Sequence, residues 1–484
     1  MRSPAFAGLE PAPFWRHFEA LTRTPRASFE EGPAVAYVTD WAARQGFALR
    51  CDDAGNLAVS VPATAGRASA PKVILQGHLD IVCERDPGSP NDPRDGRISV
   101  VRDGDWLHAD GTTLGADNGV GVAAMLALAE ERDAEHGLLT LLMTVAEEVG
   151  MAGAAVLSPA LIDGTVLLNL DSGHDGTLTV GCAGGVDSVL RLEGDREPVV
   201  PGDVALRVSA GSGRGGHSGG DIAAGRANAI RLLARALGDL PGVRIAALRG
   251  GASRNAIPRE AAAEIVVAAA ERESTAETLT AGGGRSAAAY ESTDAGVRLT
   301  VADAEVPESA WTAAAGRRAL DLIATLPAGP LRMSADFPGV VEASSSLGIA
   351  ATDGGRLTLR CLSRSAHDDL MPEITGAIAA AGRLAGAEVE LGRAYPGWRP
   401  DLRSPALATA RAVFERLFGG PPQVTLTHGG LEPAIIGARR PGLDMLSFGP
   451  EIQGAHAPGE RLHAGSVQRF TQLLAGLVDE LSRP

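Results

Sequence analysis

Four short apolar runs each finish on side chains that can bind a metal or carry a proton. "KVILQGHLD" ends at His78 and Asp80, "LLTLLMTVAEE" at Glu147 and Glu148, "GTVLLNLDSG" leads to Asp171, and "DMLSFGPEIQGAH" closes on His456. Runs this short, bounded by glycines and polar residues, read as buried strands. Between the first two lies a helix-like stretch, "NGVGVAAMLALAEER" (Asn118–Arg132). Strands alternating with helices predict an α/β domain with a mostly parallel central sheet. Ligands of such sheets gather beyond the carboxyl ends of the strands, where these polar residues stand.

At 484 residues the chain is too long for one ordinary core. From about Asp187 to about Leu391 the pattern changes, and no acidic pair caps a strand. "DVALRVSAG" reads as a strand, "DIAAGRANAIRLLARALGDLP" as a helix, and "VRIAALRGG" and "EAAAEIVVAAA" as two more strands. A similar order returns in "GVRLTVADAE", "ESAWTAAAGRRALDLIATLP" and "RLTLRCLSRS", a weak internal duplication. The Gly- and Ala-rich "LTAGGGRSAAAYE" is the expected joint between the copies. The expected layout is a discontinuous catalytic domain, residues 1–187 and 392–484, with an inserted, duplicated α/β lid at 188–391.

Charge and composition narrow the partners. A net charge of −15 argues against nucleic acid and anionic membrane. The start of the chain has no apolar signal-peptide core, and no run reaches the ~18 apolar residues of a membrane span. Four widely spaced cysteines, Cys51, Cys83, Cys182 and Cys361, form no C-x-x-C and suit a reduced, cytoplasmic protein. Lys72 is the only lysine, which excludes a Schiff-base or phosphate-binding lysine elsewhere.

His78, Asp117, Glu148, Asp171 and His456 make a set of two imidazoles and three carboxylates. That mixture suits Zn²⁺, and Mn²⁺ or Co²⁺ less selectively. Five donors are too many for one catalytic zinc and the right number for two metals sharing a carboxylate, about 3.5–4 Å apart. Each residue has a plainer reading. Asp117 could cap the following helix, Glu147 and Glu148 could sit at a helix N-terminus, Asp171 could shape a turn, and His456 could be a loop residue. It is their coincidence that points to a site. In H-x-D, strand residues two apart face the same way, so Asp80 can hold the His78 ring from behind. Of the adjacent glutamates, one can face the metals as Glu148 and the other, Glu147, can serve as general base toward a water between them.

"GHLDIV", "GTTLGADNGVG", "EEVGMAGA", "LNLDSG", "GCAGG", "GGHSGGDI", "RNAIPRE" and "HAPGE" resemble, in order, the landmarks of the aminoacyl-histidine (Xaa-His) dipeptidases. These sit in the di-zinc metallopeptidase superfamily that includes carboxypeptidase G and the aminoacylases. The resemblance runs from about Trp15 to the C-terminus. It implies that His78 and Asp171 hold one metal, Glu148 and His456 the other, and Asp117 bridges. It implies Glu147 as general base, Asp80 as the orienting acid, and His217 of the lid as the oxyanion partner. Asn255 and Arg364 are implied as grips on the substrate's terminal carboxylate. It also implies a small unblocked dipeptide substrate of the β-alanyl-histidine type. Relatives with a single lid take the His217 equivalent from a partner subunit, so monomer and homodimer both stay open.

The segment "HGGLEPAIIG" departs from the family, with Pro433 where a cysteine usually follows the glutamate; His428 and Glu432 carry no assigned role. His17, His108, His136, His174, His367 and His463 also carry none. Three rivals remain: an N-acyl-amino-acid amidohydrolase or carboxypeptidase on the same scaffold, a non-catalytic binding relative, and a dinucleotide-dependent oxidoreductase. The last is suggested by "GSGRGG" (Gly211–Gly216), a formal G-x-G-x-x-G. Asp239 closes a helix rather than capping the next strand, which argues against it.

Overall fold

The computed structural model describes residues Ser3–Arg483. Contacts divide the chain into two units: Met1–Gly181 with Trp398–Leu426 and Leu431–Pro484, and Cys182–Gly397 with Thr427–Gly430.

The first unit is built on eight strands. Their order is Ala48–Cys51, Leu57–Val61, Leu139–Thr144, Val73–His78, Val166–Asn169, Asp444–Ser447, Thr177–Cys182 and Gln423–Thr427. The middle four run parallel. Leu57–Val61 and Ala48–Cys51 close one side antiparallel, and Thr177–Cys182 is antiparallel to its neighbour Asp444–Ser447 on the other. Every residue of Val73–His78 and Leu139–Thr144 is buried, as strands covered on both faces must be. Ala58, Ile74, Leu142, Leu161, Leu167 and Ile436 pack one side of this core. The helix Ala116–Glu130 packs against Val73–His78 and is buried over Asn118–Leu128, so it is apolar all round rather than striped. A small four-stranded sheet ties Val100–Asp103 and Trp106–Ala109 to Ile452–Gln453 and Arg461–His463.

The second unit has one nine-stranded sheet. Its order is Arg298–Ala304, Asp203–Gly211, Ala261–Ala268, Arg244–Gly250, Val341–Asp353, Arg356–Ser365, Gly184–Glu193 and Glu388–Leu391, with Gly329–Met333 also on Val341–Asp353. All these pairings are antiparallel. Helices Ala229–Gly238, Arg272–Ala288, Ala313–Thr325 and Met371–Ala385 bury Ile230, Leu233, Leu279, Leu320 and Ile378 in its core.

Three local expectations are corrected. The glycine-rich "LTAGGGRSAAAYE" is not a joint: all but its last residues lie in the helix Arg272–Ala288. A Cβ on Gly283 would come within 2.6 Å of Leu299 Cβ, so the glycine lets helix and strand approach closely. The strand Arg298–Ala304, expected to open the second copy, pairs instead with Asp203–Gly211 of the first. The helix expected over 221–241 is shorter, Ala229–Gly238, because Asn228 caps it by accepting from the Ile230 and Arg231 amides.

Candidate metal centre

The strand-end residues of the first unit converge. His78 Nε2 lies 3.1 Å from Asp117 Oδ1 and 3.5 Å from Asp171 Oδ1. His456 Nε2 lies 3.1 Å from Asp117 Oδ2 and 3.1 Å from Glu148 Oε2. Asp117 thus faces both groups, one oxygen to each. Ligand atoms of His78, Asp117 and Glu148 all fall within 4.8 Å of one another. Glu148 Oε1 is buried with no hydrogen-bond partner, a costly state for a carboxylate oxygen unless a cation meets it. Imidazole nitrogen and carboxylate oxygen in this arrangement fit a divalent ion of the zinc or manganese type. Glu147 Oε2 stands 4.0 Å from His78 Nε2, at the rim of the cluster.

Asp80 organises two of these elements at once. Its main-chain carbonyl lies 3.1 Å and its Oδ1 3.5 Å from His78 Nδ1. The same carboxylate accepts the Glu147 and Glu148 amides at 3.0 and 3.1 Å and the Ser28 hydroxyl at 2.7 Å. These bonds and the His78 ring outweigh the burial that would raise its pKa, and hold it down at about 2. Asp80 therefore fixes the His78 ring and the Glu147–Glu148 turn together.

Burial disfavours the charge on His78, but Asp171, Asp117 and Asp80 together hold its pKa well above the ordinary value. His456 is pushed up to about 11 by its bonds to Asp117 and Glu148. Burial, then the neighbouring Asp117, lifts Asp171 to about 8, and burial also raises Glu147. The imidazolium charges and shared protons compensate an excess of buried carboxylate, the excess a bound divalent cation neutralises.

Supports that the sequence did not single out hold the loops. Glu460 is buried and accepts the amides of Leu114, Gly115 and Ala116 at 2.8–2.9 Å and of Asp117 at 3.3 Å, fixing the turn that presents Asp117. Arg26, wholly buried, donates to the carbonyls of Leu79 and Gly115 at 3.1 and 2.7 Å, tying the His78 loop to the same turn. The small sheet pairs Arg461 with His108 and so anchors the loop bearing His456.

Beneath the site a ladder of side chains crosses four strands. Glu432 Oε2 accepts from Thr144 and Gln76, each at 2.6 Å. Asn169 donates to Gln76 Oε1 at 2.6 Å, Ser447 to Asn169 Oδ1 at 2.5 Å, and Ser447 meets Ser172 at 2.8 Å. Gln76 and Asn169 each stand two residues before a cluster member, His78 and Asp171. His463 is structural: its Nδ1 accepts the Ser466 amide and its ring meets Trp106 edge to face.

The other three predicted residues lie in the second unit. His217 Nδ1 accepts the amides of Gly219 and Gly220 at 3.3 and 3.1 Å. Arg364 Nη2 is 3.4 Å from His217 Nε2, and Arg364 Nη1 donates to the Tyr395 hydroxyl at 3.1 Å. The Asn255 main-chain carbonyl accepts the Ser218 amide at 2.7 Å, tying its backbone to the His217 turn, and its exposed side chain accepts the Ser253 hydroxyl at 2.5 Å. His428 is buried here, its Nε2 2.7 Å from the Ser344 hydroxyl. Tyr395 and Ser344 carried no sequence signal. The "GSGRGG" loop leads to the two-residue strand Gly216–His217, not to a helix, so it lacks the strand–turn–helix of a dinucleotide site.

Imidazoles and carboxylates gathered at the ends of parallel strands make the frame of a metal-dependent hydrolase. The chain belongs to peptidase family M20/M25/M40, whose model matches residues 74–480. It is 35% identical over 476 residues to the cytosol non-specific dipeptidase of Escherichia coli, covering 98% of each chain. The crystal structure of aminoacylhistidine dipeptidase from Vibrio alginolyticus superposes with a TM-score of 0.86 at 34% identity, over 99% of this chain and 98% of that one. Aminopeptidase PepT of Bacillus cereus, at 16% identity and a TM-score of 0.60 over 98% and 100% of the two chains, shares the fold. The motif resemblance therefore extends over the whole chain, and the chain is a hydrolase of peptide bonds.

Proposed function

We propose that this protein is a cytoplasmic two-metal dipeptidase that cleaves unblocked dipeptides, including the Xaa-His type. The observation that carries the reading is Asp117, with one oxygen toward His78 and the other toward His456. His78 and Asp171 would hold one ion, His456 and Glu148 the second, with Asp117 between; zinc suits this donor set best. When bound, the two ions supply the Lewis acidity that brings a water toward deprotonation near neutral pH. Glu147 accepts that water's proton and returns it to the leaving amine. Asp80 keeps the His78 ring and the Glu147 turn in register. His217 is the donor for the oxyanion of the tetrahedral intermediate. Arg364 and Asn255 take the substrate's terminal carboxylate, for which a guanidinium fork is suited. The peptidase family and the two dipeptidases above support this reading over the N-acyl amidohydrolase.

The test compares free dipeptides (β-alanyl-histidine, Gly-His and Ala-Leu) with their N-acetylated forms, using metal-stripped protein with and without Zn²⁺ or Mn²⁺. The expected outcome is metal-restored cleavage of the free dipeptides and little of the blocked ones. Preference for the acetylated forms would move the assignment to an amidohydrolase.

A further inference from the structure

The second unit carries a cleft of about 960 Å³ that the peptidase reading does not use. Its lining holds five arginines, Arg207, Arg214, Arg249, Arg259 and Arg298, and one acid, Glu260. That is an inversion in a chain of net charge −15. Elsewhere in the same unit several arginines meet carboxylates, among them Arg191 with Glu390 at 2.8 Å, Arg244 with Asp203 at 2.8 Å, Arg254 with Asp187 at 2.9 Å and Arg272 with Asp303 at 2.6 Å, while Arg196, Arg231 and Arg318 donate to main-chain carbonyls. Around the cleft, Arg207 alone approaches an acid, Glu264, at 3.8 Å. Arg214, Arg249, Arg259 and Arg298 have no carboxylate partner among the described residues.

The strand register shows how these side chains are arrayed. Thr300, Ser209, Ala262 and Arg249 stand opposite one another on four adjacent strands. One row along, Arg298 stands opposite Gly211; one row the other way, Arg207 stands opposite Ala302 and Glu264. Residues two apart on a strand share a face, so Arg207, Arg249 and Arg298 surround a floor of small side chains. The Gly211–Gly216 loop and Pro258–Glu260 add Arg214 and Arg259 at the rim. The loop is pinned by buried Asp294, which accepts the Arg214 amide at 2.9 Å and the Ala227 amide at 3.2 Å. Four adjacent strands spread this charge over roughly 14 Å, more than one singly charged anion can satisfy.

We propose that this cleft is a binding site for a small anion carrying two or more phosphate groups. Planar guanidinium forks match phosphate oxygens in pairs, and small side chains beneath leave room for the ligand. Gly216 lines the cleft and immediately precedes His217, so a bound anion touches the turn that carries it; this link to catalysis rests on the function proposed above.

The test is calorimetric titration of the metal-loaded protein with pyrophosphate and with a bisphosphorylated sugar, at constant ionic strength. Sulfate and citrate serve as comparison anions. The partner protein is the double variant Arg249→Ala/Arg298→Ala, whose exposed substitutions leave basal dipeptide hydrolysis unchanged. Metal chelation by the probe is common to both proteins, so the difference between them reports the cleft. The expected result is saturable binding of one bisphosphate per chain, weakened about tenfold or more in the variant. Equal binding by both proteins, no saturable binding below about 5 mM, or citrate binding as tightly as the bisphosphates would overturn the proposal. Binding is read without reference to peptide cleavage, so its failure and the failure of the peptidase reading are separable.

Discussion

Glu147 is an acid held where burial opposes its charge, beside a second acid that faces the candidate metals. Removing its charge without its shape isolates the proton-transfer role. Glu147→Gln should retain bound metal, measured by elemental analysis, and lose roughly 100- to 10,000-fold in kcat. Turnover near wild type with metal retained would take Glu147 out of the role of base. His428 offers a test in the second unit. Burial first, then the nearby Arg364, drives its pKa down to about 4 from the ordinary 6.5. The unfolded chain therefore binds this proton more readily than the folded one between those values. Stability contributed by neutral His428 is complete above about pH 6.5 and is lost as pH falls toward 4, up to about 3 kcal/mol. Urea unfolding across that window should show His428→Gln losing less stability than wild type; parallel pH dependences would contradict the assignment. Four of the five ligand candidates, His78, Glu148, Asp171 and His456, stood out in the sequence because they follow short apolar runs, whereas Asp117 lies just before a helix-like stretch and stood out only beside the other four. Glu460 and Arg26 were not, because in sequence a buried charge looks like a surface one, and only the backbone groups it meets reveal its role.

At the scale of elements, the parallel middle of the first sheet followed from apolar runs alternating with a helix-like stretch, and the full burial of Val73–His78 and Leu139–Thr144 agrees with strands covered on both faces. The antiparallel edges did not, since short strands such as Ala48–Cys51 carry little pattern and take their direction from a neighbour. The ladder Thr144–Glu432–Gln76–Asn169–Ser447 was also hidden, because its members are five separate polar letters until pairing aligns them. Glu432 anchors it, with burial lifting its carboxyl to about 7. Glu432→Gln keeps an acceptor for Gln76 and Thr144 and should shift stability by less than about 1 kcal/mol. Glu432→Ala leaves both donors unpaired in the core and should cost about 2–4 kcal/mol in urea unfolding of the metal-stripped protein. Equal effects of the two substitutions would show that the ladder adds nothing beyond packing. The glycine run Gly282–Gly284 misled as a joint because glycine marks either a turn or a close approach. Here the neighbouring Leu299 selects the second.

For the whole molecule, polar residues from both ends of the chain pointed to one discontinuous unit with an insertion over 188–391; contacts likewise divide the chain discontinuously, with the second unit spanning Cys182–Gly397 and Thr427–Gly430. Thr427–Gly430 carries no signal of its own, yet it belongs to the second unit while both its flanks belong to the first. Four residues are too few for a compositional shift to mark. In the proposed function five side chains hold two divalent ions, and peptide cleavage depends on both. Titrating Zn²⁺ into metal-stripped protein, while following bound metal and β-alanyl-histidine cleavage in the same samples, tests this most directly. The prediction is activity that rises with occupancy and levels off at two ions per chain, with Asp117→Asn weakening metal binding and cleavage together. Full cleavage by protein free of metal, or saturation of activity at a single ion with Asp117→Asn unaffected, would contradict it.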